Sequence, residues 1–234
     1  MSGILVRGGY QPNDYDPCVF HKGEADNHCS AALHVDDLLV TASSEELAQE
    51  LLDLLRANLT EVKVKSGKVN TYLGMRITET DTHLEADMDN YVRECVEWAG
   101  VTGSAKTPAD ENLFKIDDEA APLDASACER FHTGTAKLLF VAKRCRPAIL
   151  TAVSFLCSRV SAATVEDARK LERVMKYLCA TPAQPMRYKK GTYKMELFAF
   201  VDAGYGVHDT GESRSGLVIT LNGTPVLCKT ASAS

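Results

Sequence analysis

The chain has 234 residues, 45% hydrophobic and 25% charged, enough for one or two buried cores but with no apolar run near the roughly 20 residues of a membrane span. Its first residues lack the apolar segment of a secretory signal, and its eight cysteines contain no C-x-x-C pair, which points to reduced thiols in an intracellular protein rather than a disulfide framework. The net charge of −6 hides an asymmetry: residues 1–129 carry 10 Lys+Arg against 25 Asp+Glu, residues 130–194 carry 14 against 3, and residues 195–234 carry 2 against 4.

In chain order, the apolar run within 16–22 and the run 28–35 flank turn residues Gly23 to Asn27 and predict a hairpin. Asp36-Asp37 interrupts the apolar pattern before Leu38-Leu-Val-Thr41 resumes it, which predicts a second, tighter hairpin. Ser43 followed by Glu46 has the spacing of a capping box and opens a helix with the stripe Leu47, Leu51, Leu54, Leu55 and Leu59. A strand over 69–78, a turn at 79–82 and a weaker strand over 84–88 precede a helix from about Asp89 to Gly100. Residues 101–124, with Thr107-Pro108, Pro122 and many acids, read as an exposed connection. Helices follow at about 126–145, 147–160 and 165–180, the third capped by Thr164. Beyond Pro182 and Pro185 the pattern turns to strands at 194–201, 215–221 and 226–229, with Asn222-Gly223 as a hairpin turn. These elements imply an α+β fold with a change of character near residue 190.

Taken alone, an Asp-Asp dipeptide is an ordinary turn. Two adjacent carboxylates between apolar strands cannot both be buried without compensation, and projecting from one tip they suit Mg²⁺, or Mn²⁺ in its place, which takes a few carboxylates and completes its shell with water and substrate phosphates. Cys18-x-x-His21 and His28-Cys29 lie across the first hairpin and form a weaker zinc candidate, set against ordinary strand residues. Cys145, Cys157 and Cys179 fall on apolar helical faces as small core residues. Lys137, Lys143, Arg144 and Arg146 cluster in one basic stretch and Lys170, Arg173 and Lys176 in another, with Arg169 beside them. Such residues can contact phosphates in a sequence-independent, salt-sensitive way, although a solvated helical face would give the same count.

The stretch His34-Val-Asp-Asp-Leu-Leu-Val-Thr41 resembles the reverse transcriptase palm motif that usually reads Tyr-Val-Asp-Asp. Tyr72-Leu-Gly-Met-Arg-Ile77 resembles the "FLG" segment of the primer grip, and Tyr91 opens a helix where the family begins its thumb. Thr107-Pro108, the run Lys137 to Ile149 and the run Leu171 to Leu178 match further landmarks. Phe200-Val-Asp-Ala-Gly-Tyr205 and Arg214-Ser-Gly-Leu-Val-Ile219 are similar to the entry of an RNase H domain. In this order the landmarks resemble the later part of a Ty1/copia-type retrotransposon reverse transcriptase and the start of its RNase H.

The resemblance implies a partial palm and primer-grip region at 1–100, a linker and helical thumb or connection at 101–190, and a truncated RNase H-like domain at 191–234. It implies Mg-dependent nucleotidyl transfer in the intact polyprotein, with Asp36 and Asp37 as metal ligands, Tyr72, Leu73 and Gly74 at the primer grip, and Asp202 as one RNase H carboxylate. The implied partners are an RNA/DNA primer–template duplex, deoxynucleoside triphosphates and the rest of the Pol polyprotein, without a membrane. The implied location is intracellular, in a cytoplasmic particle and the nucleus. His34 stands where the family usually has Tyr and keeps a planar ring with a polar tip. A third palm carboxylate and the later RNase H acids are expected outside this chain, so the chain alone is not expected to extend a primer. A nucleic-acid-binding remnant without catalysis and a decayed element are the competing readings.

Overall fold

The computed structural model describes all residues except 25, 192–193, 208–210 and 234, together with the side chain of residue 233. The fold is α+β, with three antiparallel sheets and six helices among the described residues. Two compact units divide at Gly67/Lys68.

In the first unit, helix α1 (Ser2–Arg7) and the short strand β1 (Gln11–Pro12) precede β2 (Val19–Glu24), β3 (Asn27–His34) and β4 (Asp37–Ala42), and helix α2 (Glu45–Asn58) closes it. The sheet runs β1-β2-β3-β4. Alternation puts Cys29 and Ala31 of β3 into a core with Leu5, Tyr10 and Phe20, and the predicted leucine stripe brings in Leu51 and Leu55. The helix cap is Ser44, whose side chain accepts from the Leu47 amide, and not the expected Ser43. Ser43 is committed to the sheet instead: its hydroxyl accepts from the His28 amide at 3.0 Å.

The second unit opens with β5 (Val69–Tyr72), β6 (Met75–Glu79) and β7 (His83–Asp87). The single strand expected over 69–78 is a hairpin, broken at Leu73-Gly74, where φ is 51° and 77°. Positive φ at both central residues is the type I′ pattern, and glycine meets it without a Cβ penalty at the second position. Helix α3 (Asp89–Ala99) ends at Gly100 in the left-handed region, as expected. Helices α4 (Ala125–Ala142), α5 (Leu150–Ser158) and α6 (Val165–Ala180) follow, with 3-10 turns at Pro147–Ile149 and Val160–Ala162. Gly134 lets α4 approach its neighbours: a Cβ there would lie 3.1 Å from Leu171 and 3.2 Å from Trp98. Phe131, Leu138, Val153, Phe155, Val174 and Leu178 fill this helical core.

Strand β8 (Met186–Lys189), absent from the sequence reading, returns to pair with β7 and completes the sheet β5-β6-β7-β8. The last sheet has the order β11-β10-β9, with β9 (Leu197–Gly204), β10 (Ser213–Leu221) and β11 (Thr224–Ala233). Asn222 and Gly223, at φ 49° and 86°, form the expected turn between β10 and β11.

The segment 101–124 is the mostly exposed connection expected, but it is anchored at a few points. Leu113 is buried, Phe114 stands edge-on to Phe155 at 5.5 Å, and the Leu123 amide donates to the Ala163 carbonyl. Its polar composition concealed a short apolar anchor, Leu113-Phe114-Lys-Ile116, packed on the helices.

Candidate functional site

Register places the Asp pair. Leu33 faces Leu38 across β3 and β4 and both pack on the core of the first unit, so the next pair outward, His34 and Asp37, faces the other way. Val35 and Asp36 form a two-residue loop, and His34, Val35, Asp36 and Asp37 are all exposed. Val35 has φ 55° while Asp36 does not share the positive region, the pattern of a type II′ turn whose first position ordinarily belongs to glycine. A β-branched residue there stores about 1–3 kcal/mol of strain. The tip therefore presents two hard oxygen donors from consecutive residues. That donor set fits Mg²⁺ or Mn²⁺, which needs only one or two carboxylates when phosphates complete the shell. Among the described residues no group of three or more His, Cys, Asp or Glu side chains gathers to hold a metal. The zinc candidate does not assemble: register sets His21 opposite Ser30 and Lys22 opposite Cys29, with Cys29 buried and Cys18 exposed.

Asp202 lies exposed on β9, opposite Gly216 of β10, and its carboxylate accepts from the Ala203 amide at 3.0 Å. Its strand neighbours Phe200 and Val201 are also exposed. Tyr72, Leu73 and Gly74 end the β5–β6 hairpin. A Cβ on Gly74 would lie 3.3 Å from Phe140 of α4, so this turn rests against that ring.

The seven predicted cations have different fates. Lys143 is exposed near the end of α4. Lys137 lies 5.5 Å from the Tyr91 ring and 5.8 Å from the Trp98 ring. The Arg144 guanidinium sits 3.7 Å from the Phe140 ring. Arg146 is not on a surface: it is 3% exposed, its Nη2 donates to Thr181 Oγ1 at 2.6 Å, and burial pushes its pKa below the ordinary arginine value. Pro147 turns the chain at that point, which directs Arg146 inward toward the end of α6.

On α6 two of the cations, Lys170 and Arg173, are held by the segment 101–124. Lys170 donates to the Lys115 carbonyl and lies 5.1 Å from the Phe155 ring, and burial lowers its pKa. Arg173 pairs with Asp110 at 3.3 Å and donates to Thr107 Oγ1 at 3.1 Å. Lys176 pairs with Glu172 at 2.7 Å.

The aromatic partners of these cations stand outside the charge pattern that singled the cations out. Tyr91 and Trp98 are seven residues apart on α3 and share one face. Tyr91 lies 5.2 Å from Phe140, and Arg130 lies 4.9 Å from Trp98 while donating to the Ala99 carbonyl at the end of α3. The spacing Lys137, Phe140, Arg144 was the available signal, since steps of three and four share a helix face. Together these residues flank an open groove of about 380 Å³ lined by Tyr91, His132, Thr133, Ala136, Lys137 and Phe140.

Among the described residues, no helix is long and apolar enough to cross a membrane. No family model matches the chain, and no solved structure matches it. Relatives are nevertheless found among curated proteins. The transposon Ty5-1 protein YCL074W of Saccharomyces cerevisiae is 25% identical over 97% of this chain and 73% of its own length. The uncharacterized mitochondrial protein AtMg00810 of Arabidopsis thaliana is 25% identical over 79% of this chain and 75% of its own length. The retrovirus-related Pol polyprotein from transposon RE1 of Arabidopsis thaliana is 24% identical over 97% of this chain, which spans 15% of that polyprotein. The chain thus has relatives among retrotransposon proteins, and one of them carries the corresponding stretch inside a Pol polyprotein.

Proposed function

We propose that this chain is a fragment of an RNA-directed DNA polymerase and RNase H of a copia-type retrotransposon. The carrying observation is the β3–β4 tip, two adjacent exposed carboxylates on a turn strained at Val35. Backbone strain held at a polar tip concentrates at functional sites, and the relatives named above support the retrotransposon setting.

In this reading Asp36 and Asp37 are metal ligands of the intact polyprotein. Bound there, Mg²⁺ would supply polarisation of the attacking hydroxyl and stabilisation of the leaving oxygen. The rigid β3–β4 pairing holds the two carboxylates at one end of the sheet, and His34 presents a ring beside Asp37 on the same face. The turn Tyr72-Leu73-Gly74 belongs to the primer grip, and Asp202 is one ligand of an RNase H site whose other acids lie elsewhere in the polyprotein. Residues 1–100, 101–190 and 191–234 are the corresponding palm, thumb and RNase H portions.

Paramagnetic Mn²⁺ titrated into the chain tests the metal reading. Weak binding that broadens the His34 ring signals first, and disappears in Asp36→Asn and in Asp37→Asn, is the expected result. Broadening that ignores both substitutions overturns it. Primer extension by the chain alone is expected to be absent; robust incorporation that vanishes in Asp36→Asn would mean that the chain is itself a complete polymerase.

A non-catalytic nucleic-acid-binding remnant is the second reading. It is favoured by the stretch between Glu129 and Glu166, which carries six Lys and Arg residues and no Asp or Glu. It predicts binding that weakens steeply with salt and is indifferent to Asp36 and Asp37.

A further inference from the structure

We propose that the groove between α3 and α4 takes an unpaired nucleic-acid strand, with a base against Tyr91 and Phe140 and phosphates on Lys137 and Arg144. The inference rests on the nucleic-acid reading above and names the face and the form of strand.

Charge identifies the partner as a polyanion. Helix α4 lies mostly within the acid-free stretch that follows Glu129, and Arg130, Lys137, Lys143 and Arg144 all project from it or its end. Helix α6, with as many Lys and Arg residues, is excluded as the primary contact, because Lys170 and Arg173 are already bonded to the segment 101–124. A strand would have to break those contacts to reach them. On α4 the cations are held over rings instead, Lys137 over Tyr91 and Arg144 over Phe140. These contacts orient the side chains and leave their N–H donors without a carboxylate partner among the described residues.

Shape identifies the strand as unpaired. The groove has a floor of small residues, Thr133 and Ala136, and half-buried aromatic walls, Tyr91 and Phe140. A duplex turns its sugar–phosphate backbone outward and shows only base edges in its grooves, so such walls would stay idle. An unpaired strand offers base faces, and stacking on aromatic rings is how sequence-tolerant single-strand sites are built. Glu94 of α3 lies close enough to act on Tyr91, so the phosphate path runs toward Lys137 and Arg144 and away from that carboxylate. At this end the Leu73-Gly74 turn abuts Phe140, which ties the groove to the β5–β6 hairpin.

Trp98, the single tryptophan of the chain, lies within 5.8 Å of Lys137 and reports on the groove. The experiment titrates the whole chain at low salt with a mixed-sequence single-stranded DNA, its duplex and heparin, and reads Trp98 fluorescence. Expected is a change saturating with the single strand at lower concentration than with the duplex or heparin. Tyr91→Leu should weaken single-strand binding about tenfold, as loss of one stacking contact implies, while Tyr91→Phe keeps it within about twofold because the ring face remains. Lys137→Gln should reduce the salt slope by about 0.7, one phosphate contact on a single strand. Lys63→Gln, an exposed change in the other unit, should leave binding unaltered. Thermal melting confirms that each variant is folded, and if Tyr91→Leu does not fold, Lys137→Gln decides. The groove is overturned if the duplex binds and Trp98 does not respond, an outcome that leaves the nucleic-acid reading standing. It is also overturned if heparin acts as strongly as the oligonucleotide and Tyr91→Leu changes nothing. If neither strand form binds at low salt, the groove and the nucleic-acid reading fall together.

Discussion

Helix α4 with its C-terminal end and helix α6 each carry four Lys and Arg residues, yet these cations do different things. Lys170 and Arg173 of α6 hold a distant piece of chain, through the Lys115 carbonyl, Asp110 and Thr107. Lys137 of α4 and Arg144 just past its end lie over Tyr91 and Phe140, rings that line an open groove. A basic stripe thus says that a helix can meet negative charge, and packing decides whether that charge is the protein's own. The acidic composition of residues 101–124 gains a meaning from this contrast, since part of it neutralises α6.

The largest expected effect breaks α6 itself. Asp167 is buried, forms a capping box with Thr164 and pairs with Arg159 at 3.3 Å. Asp167→Ala removes the cap and leaves the Arg159 charge poorly compensated, a cost of about 3–4 kcal/mol in chemical denaturation. A loss below about 1 kcal/mol would mean that neither the cap nor the ion pair anchors α6.

The α3–α4 side is more sharply probed by alkali. Burial pushes the Cys95 and Cys145 thiols up to about 11 from 9.0. Their folded pKa values exceed the unfolded ones, so this stability is fully present below pH 9 and is lost as pH rises toward 11. The loss approaches about 2–3 kcal/mol per thiol, because the unfolded chain ionises first. Melting temperature should fall steeply over that window, and Cys95→Ala should flatten the fall. A profile equally steep in the variant would refute the assignment.

Arg173→Ala and Lys143→Ala then separate the two helices directly. The first loses a half-exposed ion pair and a hydrogen bond, about 0.5–1 kcal/mol of stability after allowance for solvent screening. The second should leave stability unchanged and weaken only polyanion binding. The reverse pattern would invert the comparison. An effect of similar size and opposite sign is expected at the acidic tip: Val35→Gly relieves strain and should stabilise the first unit by about 0.5–1 kcal/mol, the gain being trimmed by glycine's unfolded-state entropy.

Several features were legible because their causes are local. The Thr164 cap, the leucine stripe of α2, Gly100 after α3 and the Asn222-Gly223 turn all rest on one or two helical turns or a single dipeptide. The Asp pair was placed at a hairpin tip by the apolar runs beside it, and the structure puts it there. Leu73-Gly74 was misread because a Tyr-Leu-Gly-Met run carries strand-like composition, and its turn depends on positive φ at a leucine. Neither β8 nor the burial of Leu113 had a local signal, since each depends on a surface built from residues far along the chain.

By itself the sequence determined the α+β character, several helix ends, the exposed carboxylate pair and the resemblance to retrotransposon proteins. It also located the basic charge within residues 130–194. The tertiary structure alone decided which of those cations are spent: Lys170 finds Lys115 across 55 residues and Arg173 finds Thr107 across 66, while Arg146 is taken inside. The physical reason is range. Propensity, capping and turn chemistry act over a few residues, whereas burial and charge pairing depend on segments that only folding brings within a few ångströms.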